Sequence, residues 1–385
     1  MRKNFIFALL LFFIISLSGC WNYTEVKEFI NVAGVAIDKG ENERFKVTVE
    51  TNKYPPGQSD KPVEPVLFSI EGKTVFQCLR LIIGTSGRKL YVGHMMVIIV
   101  SEDVAKEGII EILDFFIRDH EVRLTTDLVV SRGCKAEDIF LTDVMQEEIA
   151  SYEIDKLLDN TEPYSGLKKQ KSLYQIYNDI FEEGIDPIIP ALSIIDEADD
   201  KKTFRLNGLG CLKDDKLVGF IDYNYVPYYA SFIDCYDGGV LAIPIGDNGK
   251  DGYISCEIVK AKTKSKVKLI NDQFHIYFTM EINFTLGGNS TEENVKLTTF
   301  KPKDFERIFA DDRKKHCNEL LNIIRKDLDT DIIGVERYIY RKSYRNWKKY
   351  HLVYDFLQNT VIHYDIKAHF TSPGIIKIDE GEFDE

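Results

Sequence analysis

The chain carries little cysteine, little proline and, beyond its first twenty residues, no long apolar run. Seven Cys in 385 residues are too few for a disulfide-built scaffold. No Cys-x-x-Cys occurs, which argues against a zinc ribbon or a redox pair. Eleven Pro and 25 Gly exclude collagen-like and low-complexity chains. Basic charge is in deficit. The 49 Lys+Arg stand against 62 Asp+Glu, a net charge of −13, so nucleic acid, which demands a basic face, is not an expected partner. The catalytic signatures Gly-x4-Gly-Lys-Ser/Thr, Gly-x-Gly-x-x-Gly and His-Glu-x-x-His are all missing. His120-Glu121 is followed by Leu124 where a second zinc ligand would stand. Gly84-Thr85-Ser86-Gly87 is one residue short of a nucleophile elbow and reads as a turn. The segment from Asp247 to Gly252 hints at a calcium loop, but Gly249 and Ile258 cannot ligate where that loop needs oxygen, so it too reads as a turn. The seven His are scattered through the sequence, and His94 at a strand entrance reads as structural. No cofactor, no metal and no enzymatic activity are expected.

What is present begins with an address. Arg2 and Lys3 precede an apolar run from Phe5, and Leu17-Ser18-Gly19-Cys20 ends it. The run is shorter than the ~20 residues that span a bilayer and has the layout of a secretory signal peptide. A Cys directly after a small residue resembles the bacterial lipobox, in which the thiol receives a diacylglyceryl group and cleavage makes the Cys the new N-terminus. Cys20 is therefore the expected lipidation site, and membrane lipid an expected partner. Two acyl chains hold a protein on a membrane where one is marginal. Without the leader 1–19 the chain has 47 basic and 62 acidic residues, a net charge of −15, and such a body stands off anionic lipid.

Apolar residues make up 44% of the chain and aromatics 12%, enough for a substantial core; the length suggests two or three domains. Alternation over residues 30–54 predicts a strand pair, with a Pro-rich loop from Tyr54 to Pro65. Thr74 to Ile83 has helical periodicity. Met95 to Val100 and Leu124 to Val130 read as buried strands. Between them a helix starts at Ser101, a potential cap with Glu102 and Asp103 in its first turn, and buries Ala105, Ile109, Ile112, Leu113 and Phe116. Ser172 opens another helix. The run from Asp196 to Lys202 has no apolar period and is taken as a domain boundary. Strands with Gly/Asn/Asp turns follow to about residue 300. A long helix after Pro302 turns Phe305, Phe309, Cys317 and Leu320 inward. A second helical region spans about 331–356, and a last strand runs from Val361 to Phe370. The expected division is a leader 1–19, an N-terminal region 20–202 of two α+β subdomains, a C-terminal domain 203–375 and an acidic tail 376–385. The fold class is α+β, with an antiparallel sheet and long helices in the C-terminal domain.

Two features invite a binding role. Lys260, Lys262, Lys264, Lys266 and Lys268 alternate, which on a strand puts all five on one face. That face serves either an anionic partner or solvent, as a charged edge that resists aggregation. Trp347 sits among Tyr338, Tyr340, Tyr344, Tyr350 and Tyr354, either as core or as an interface anchor. Lys262, Lys264, Lys266 and Trp347 are the candidate partner-binding residues.

Several segments taken together resemble a known family. Gly19-Cys20-Trp21-Asn22 with Glu25, then Gly34-Val35-Ala36-Ile37-Asp38, is similar to the mature start of the Ger(x)C spore germination lipoproteins. Leu90-Tyr91-Val92-Gly93-His94 and Asp114-Phe115-Phe116-Ile117-Arg118-Asp119 resemble that family's N-terminal region. Leu206-Asn207-Gly208-Leu209-Gly210 and Asp215-Lys216-Leu217-Val218-Gly219 resemble the opening of its C-terminal domain. Asp331-Ile332-Ile333-Gly334, Trp347, His363-Tyr364-Asp365-Ile366-Lys367 and Pro373-Gly374 resemble its end. The resemblance implies three mixed α+β domains. It implies a non-enzymatic C subunit of a nutrient germinant receptor, working with integral-membrane A-type and B-type subunits at the outer face of the spore's inner membrane. The alternative is a substrate-binding lipoprotein feeding an importer, which would show two similar α/β lobes around a cleft.

Overall fold

The computed structural model describes residues 28–53, 64–165, 172–236, 238–246, 249–291 and 300–372. Cys20 with its leader, the loop carrying Pro55 and Pro56, Asp247 and Asn248, Pro373-Gly374 and the acidic tail lie outside the described residues. The class is α+β: strands form two sheets, each covered by helices.

The first sheet has nine strands. Its centre is parallel, formed by β1 (Phe29–Lys39), β5 (Val97–Ser101), β6 (Asp127–Ser131) and β7 (Ile188–Asp196), with the short β4 (Lys89–Tyr91) beside β1. Antiparallel pairs close its edges, β2 (Phe45–Lys53) with β3 (Glu64–Gly72) on one side and β8 (Lys202–Lys213) with β9 (Lys216–Ile221) on the other. β5 and β6 are buried along their whole length, as continuous apolar runs must be when both faces are covered. Ile98 and Val100 pack under α1 (Val75–Ser86), α2 (Glu102–Glu107), α3 (Ile110–Arg118) and α6 (Leu173–Phe181). Val97 and Ile99 point the other way, to α4 (Ala136–Phe140) and α5 (Ala150–Ser165).

Strand carboxylates fix the helices of that second face. Asp38, at the end of β1, accepts the Ala136 and Glu137 N–H groups at 2.8 and 2.9 Å and so caps α4. Glu50, on β2, accepts those of Ala150 and Ser151 at 3.1 and 2.8 Å at the start of α5, and the Ser151 hydroxyl as well. Burial raises the pKa of both carboxyls. Gly34 is required here, because a Cβ would lie 2.1 Å from Ser151 Oγ.

Two local expectations need revision. The helix after Ser101 is two helices, parted at Gly108 (φ +124°). There the Asp215 backbone carbonyl and carboxylate take the N–H groups of Ile109 and Ile110 at 3.0 and 3.1 Å. Ser101 stands at the N-cap position without a side-chain capping bond. The charge-rich run expected to divide the chain at 202/203 is a turn between paired strands, with Ile195 opposite Thr203 and Asp199 and Asp200 at positive φ. A polar stretch without period fits a solvated hairpin as well as a linker. β8 and β9 pair into the first sheet, and the unit that follows them starts with α7 (Val226–Phe232).

That unit has a four-stranded sheet, ordered β10 (Val240–Pro244), β11 (Gly252–Ile270), β12 (Gln273–Thr291) and β13 (Val361–Ser372). The two 19-residue strands turn at Asn271-Asp272, both at positive φ, the geometry a tight hairpin needs. The sheet is antiparallel from β10 through β12, as expected, and β13 joins its edge parallel to β12. A parallel neighbour needs a crossover, which α8 (Pro302–Asn322) and the helices after it supply. Phe274, Ile276, Phe278, Met280, Ile282 and Phe284 alternate along β12 and are all buried, facing Phe305, Phe309 and Leu320 of α8. Truncating such a side chain to Ala costs about 2–5 kcal/mol. Among the described residues, only this face is covered.

Asp331 joins the units. Its carboxylate accepts the Val335 and Glu336 N–H groups at 2.8 and 3.0 Å, starting α9 (Val335–Lys342). Its own N–H donates to Asp186 Oδ2 at 2.6 Å, and its carbonyl accepts the Asp186 N–H at 3.1 Å. Thr330 Oγ1 donates to the same Asp186 carboxylate and to the Leu212 carbonyl of β8. Ile332 and Ile333 are buried, and Gly334 takes the left-handed turn into the helix (φ +71°). Burial pushes the Asp331 carboxyl up to about 7, against the lowering effect of its two N–H donors.

Asp331→Ala should therefore cost about 1–3 kcal/mol in urea unfolding, by removing a helix cap and exposing a buried joint. The pH dependence has a definite sign. A carboxyl whose folded pKa is raised adds stability below its unfolded pKa and loses it as pH rises through the folded value. Asp331, with Asp179 raised by burial to about 6, makes the chain more stable near pH ~5 than near pH ~8. Thermal melts should show that slope, reduced in Asp331→Asn. A flat or inverted slope in the unsubstituted chain contradicts the assignment.

Candidate functional site

The exposed face of the second sheet carries the lysines picked out by alternation. Lys260, Lys262, Lys264, Lys266 and Lys268 all project from β11 into solvent. Across the ladder, Lys262 faces Glu281, Lys264 faces Thr279, Lys266 faces Tyr277 and Lys268 faces His275. Lys264 approaches Glu281 at 3.8 Å and both are exposed, a pairing worth at most about 1 kcal/mol. Lys268 lies 5.3 Å from the centre of the Tyr277 ring. β13 extends the face with His363, Asp365, Lys367 and His369 in register beside β12.

Pairing in the sheet brings together two His that lie 88 residues apart in sequence. His275 Nδ1 and His363 Nε2 are 3.0 Å apart. Their rings stack, and the Tyr277 ring lies 4.5 Å from that of His363 at 8°. Sequence reading found no close His pair, because only the β12–β13 register creates one. The result is a Lys-rich face with an aromatic patch of His275, Tyr277 and His363.

Trp347 is corrected as a contact residue: it is 6% exposed. Its Nε1–H donates to Glu336 Oε1 at 2.9 Å, and its ring packs against Tyr340, Tyr344 and His351. It anchors α10 (Tyr344–Tyr350) onto α9 and presents nothing to a partner. Cys20 lies outside the described residues. Burial pushes the thiols of Cys211, Cys256 and Cys317 up to about 12, which makes them poor nucleophiles.

A cleft of about 490 Å³ opens where β1, β5 and β6 end, lined by Asp38, Glu102 and Asp138 among others. These three carboxylates accept backbone N–H groups, those of Ala136 and Glu137, of Gly133 and of Lys135 respectively. They are structural acceptors rather than an acid/base pair. Among the described residues, no group of three or more His, Cys, Asp or Glu is placed to hold a metal ion, and no helix is long and apolar enough to cross a membrane.

Comparison with known proteins agrees with this architecture. Residues 22–194 match the spore germination protein N-terminal domain, and residues 207–374 match the spore germination B3/GerAC-like C-terminal domain. Spore germination protein KC of Bacillus subtilis (strain 168) is 25% identical, over 95% of this chain and 94% of that protein. Spore germination protein B3 of the same organism is also 25% identical, over 96% and 98%. GerQC of Bacillus cereus is 24% identical, over 90% and 92%. The crystal structure of the GerBC protein shares the fold, with a TM-score of 0.54 and 21% identity over 88% of this chain and 96% of that one. With both domains matched in order along almost its whole length, the chain belongs to the Ger(x)C family of spore germination proteins.

Proposed function

We propose that the chain is the C subunit of a nutrient germinant receptor, anchored by acylated Cys20 to the outer face of the spore's inner membrane. It acts by contact with integral-membrane A-type and B-type subunits and performs no catalysis. The observation that carries this is the ordered match of both germination domains from residue 22 to residue 374. The fold also disfavours the importer alternative. A binding lipoprotein would pair two similar lobes around a cleft, whereas here a nine-stranded sheet is joined to a dissimilar four-stranded one. Acyl anchoring confines the body within reach of membrane partners, so a modest interface stays occupied. The Lys face of β11 is the contact offered for an acidic surface of those partners.

The reading predicts that deleting the gene, in a strain without a second copy, abolishes the response to nutrients and leaves later wall hydrolysis competent. Intact nutrient germination in that strain refutes it. Mass spectrometry of the mature N-terminus should find a diacylglyceryl mass on Cys20, and Cys20→Ala should move the protein to the soluble fraction. A free Cys20, or a leader still attached, contradicts the anchor.

The Lys face has its own check. Lys262→Glu, Lys264→Glu and Lys266→Glu together should reduce copurification of the partners from spore membranes by about tenfold or more. Circular dichroism should stay unchanged, since all three are exposed. Undiminished copurification and germination remove this face as the contact.

A further inference from the structure

The strand-borne lysines are not the whole basic surface of this acidic chain. From Arg337 to Tyr354 the sequence has six Lys or Arg and no Asp or Glu. α9 and α10 fold that run into a corner at the hairpin end of β11 and β12. Lys342 Nζ donates to the Ser265 carbonyl at 2.7 Å, and the Tyr350 hydroxyl donates to Asp272. Arg337 and Arg341 pair with Glu182. Arg345, Lys348 and Lys349 are exposed and are in none of the ion pairs among the described residues. The nearest acids are already engaged, Asp272 by Tyr350 and Asp355 by the N–H of Gln358.

At the apex of the corner stand Leu352 and Val353. They are 84% and 83% exposed, the highest values among the described large apolar side chains. The turn that carries them is pinned. His351 N–H donates to Trp347 O at 2.8 Å, and Val353 N–H to Tyr350 O at 2.9 Å. The His351 ring stacks on Trp347, and Tyr354 packs on Phe274 and Phe356. Trp347 and Tyr354 pack inward, Tyr344 is half exposed, and an aliphatic pair stands out among cations.

We propose that the corner 341–353 is a peripheral membrane contact for an anionic lipid surface. Leu352 and Val353 enter the acyl boundary, and Arg345, Lys348 and Lys349 lie on the headgroups. The combination fits a bilayer interface, where basic side chains meet anionic headgroups and a few aliphatic groups gain burial just beneath them. A protein partner is more often anchored by exposed Trp, Tyr or Arg seated in a pocket; here the Trp faces inward, and the aliphatic Leu352 and Val353 stand out further than Tyr344. Outside this corner and the Lys face of β11 the chain is strongly acidic and is repelled by such a surface, so the corner, at the hairpin end of that face, would decide which side of the protein meets the membrane. The inference does not depend on the germination role. It needs only a membrane within reach, which an acyl anchor at Cys20 would supply.

The test uses the chain from residue 20 onward with Cys20→Ser, which lacks acyl chains and keeps every described residue. It is sedimented with vesicles of phosphatidylcholine alone and with vesicles containing about 30% phosphatidylglycerol. Binding is expected to the anionic vesicles only, and to weaken as salt rises from about 0.1 to about 0.5 M. Leu352→Ser with Val353→Ser, and separately Lys348→Glu with Lys349→Glu, should each weaken binding about tenfold or more. Thermal melts should stay unchanged, because all four side chains are exposed. No binding to anionic vesicles, equal binding to both kinds, or variants that bind like the unsubstituted chain would each overturn the proposal. So would variants that leave vesicle binding intact and lose a copurifying membrane protein, which would make the corner a protein-docking site. The nutrient response of the deletion strain is a separate readout, so either reading can fail without the other.

Discussion

The pairing of Asp186 with Asp331 is the contact on which the arrangement of this molecule rests. Two backbone segments 145 residues apart exchange hydrogen bonds in both directions. The Asp331 carboxylate then spends its oxygens on the first N–H groups of α9, where the unsatisfied donors and the helix dipole both favour an acceptor. The direction of α9 is therefore set by a residue bound to the first unit. Arg337 closes the same joint, its N–H reaching the Gly184 carbonyl at 2.8 Å. Gly184 has to be glycine there, since a Cβ would sit 2.6 Å from Arg337 N. Everything that follows α9, including the Trp347 anchor and the exposed corner beyond it, inherits that orientation.

Much of the local structure was legible because it depends on near neighbours. Thr74 and Ser172 accept the N–H of the residue three positions on, as helix starts should. The apolar stripe of α8 and the alternation of β11 and β12 appear as their periods predict. The family resemblance rested on short segments whose reasons are now visible. Gly34 admits Ser151, Asp38 caps α4, Asp215 starts α3, and Asp331 with Gly334 starts α9.

What was not legible depends on distant groups. Nothing near Gly108 says that a helix must break there; the reason is Asp215, more than a hundred residues on. The parallel pairing of β13 and the contact of His275 with His363 follow from a crossover that no window of sequence contains. Trp347 misled because an aromatic run has two readings, and only the fold of α10 back onto α9 places that ring inside. The charge-rich turn at 197–201 has two readings for a different reason. Polar composition reports exposure, and a hairpin tip is as exposed as a linker.

The two sheets differ in a way that bears on where recognition can happen. The first is sandwiched between helices on both faces, so its side chains are buried in its own two cores and, through Ile188, Leu209, Cys211 and Ile221, in the core shared with the second unit. The second is a two-layer unit. One face of β11 and β12 is packed under helices, and the other is left to solvent across two 19-residue strands. Such a face must be polar to stay wet, but polarity alone does not dictate sign. On a chain with net charge −13 an uncovered face drawn at random would be acidic. Five lysines on one strand, and Arg345, Lys348 and Lys349, in no ion pair among the described residues, at the end of the same hairpin, run against that expectation. A surface whose charge opposes that of its own chain is attracted where the rest is repelled, and this gives the molecule a preferred side long before any close contact forms.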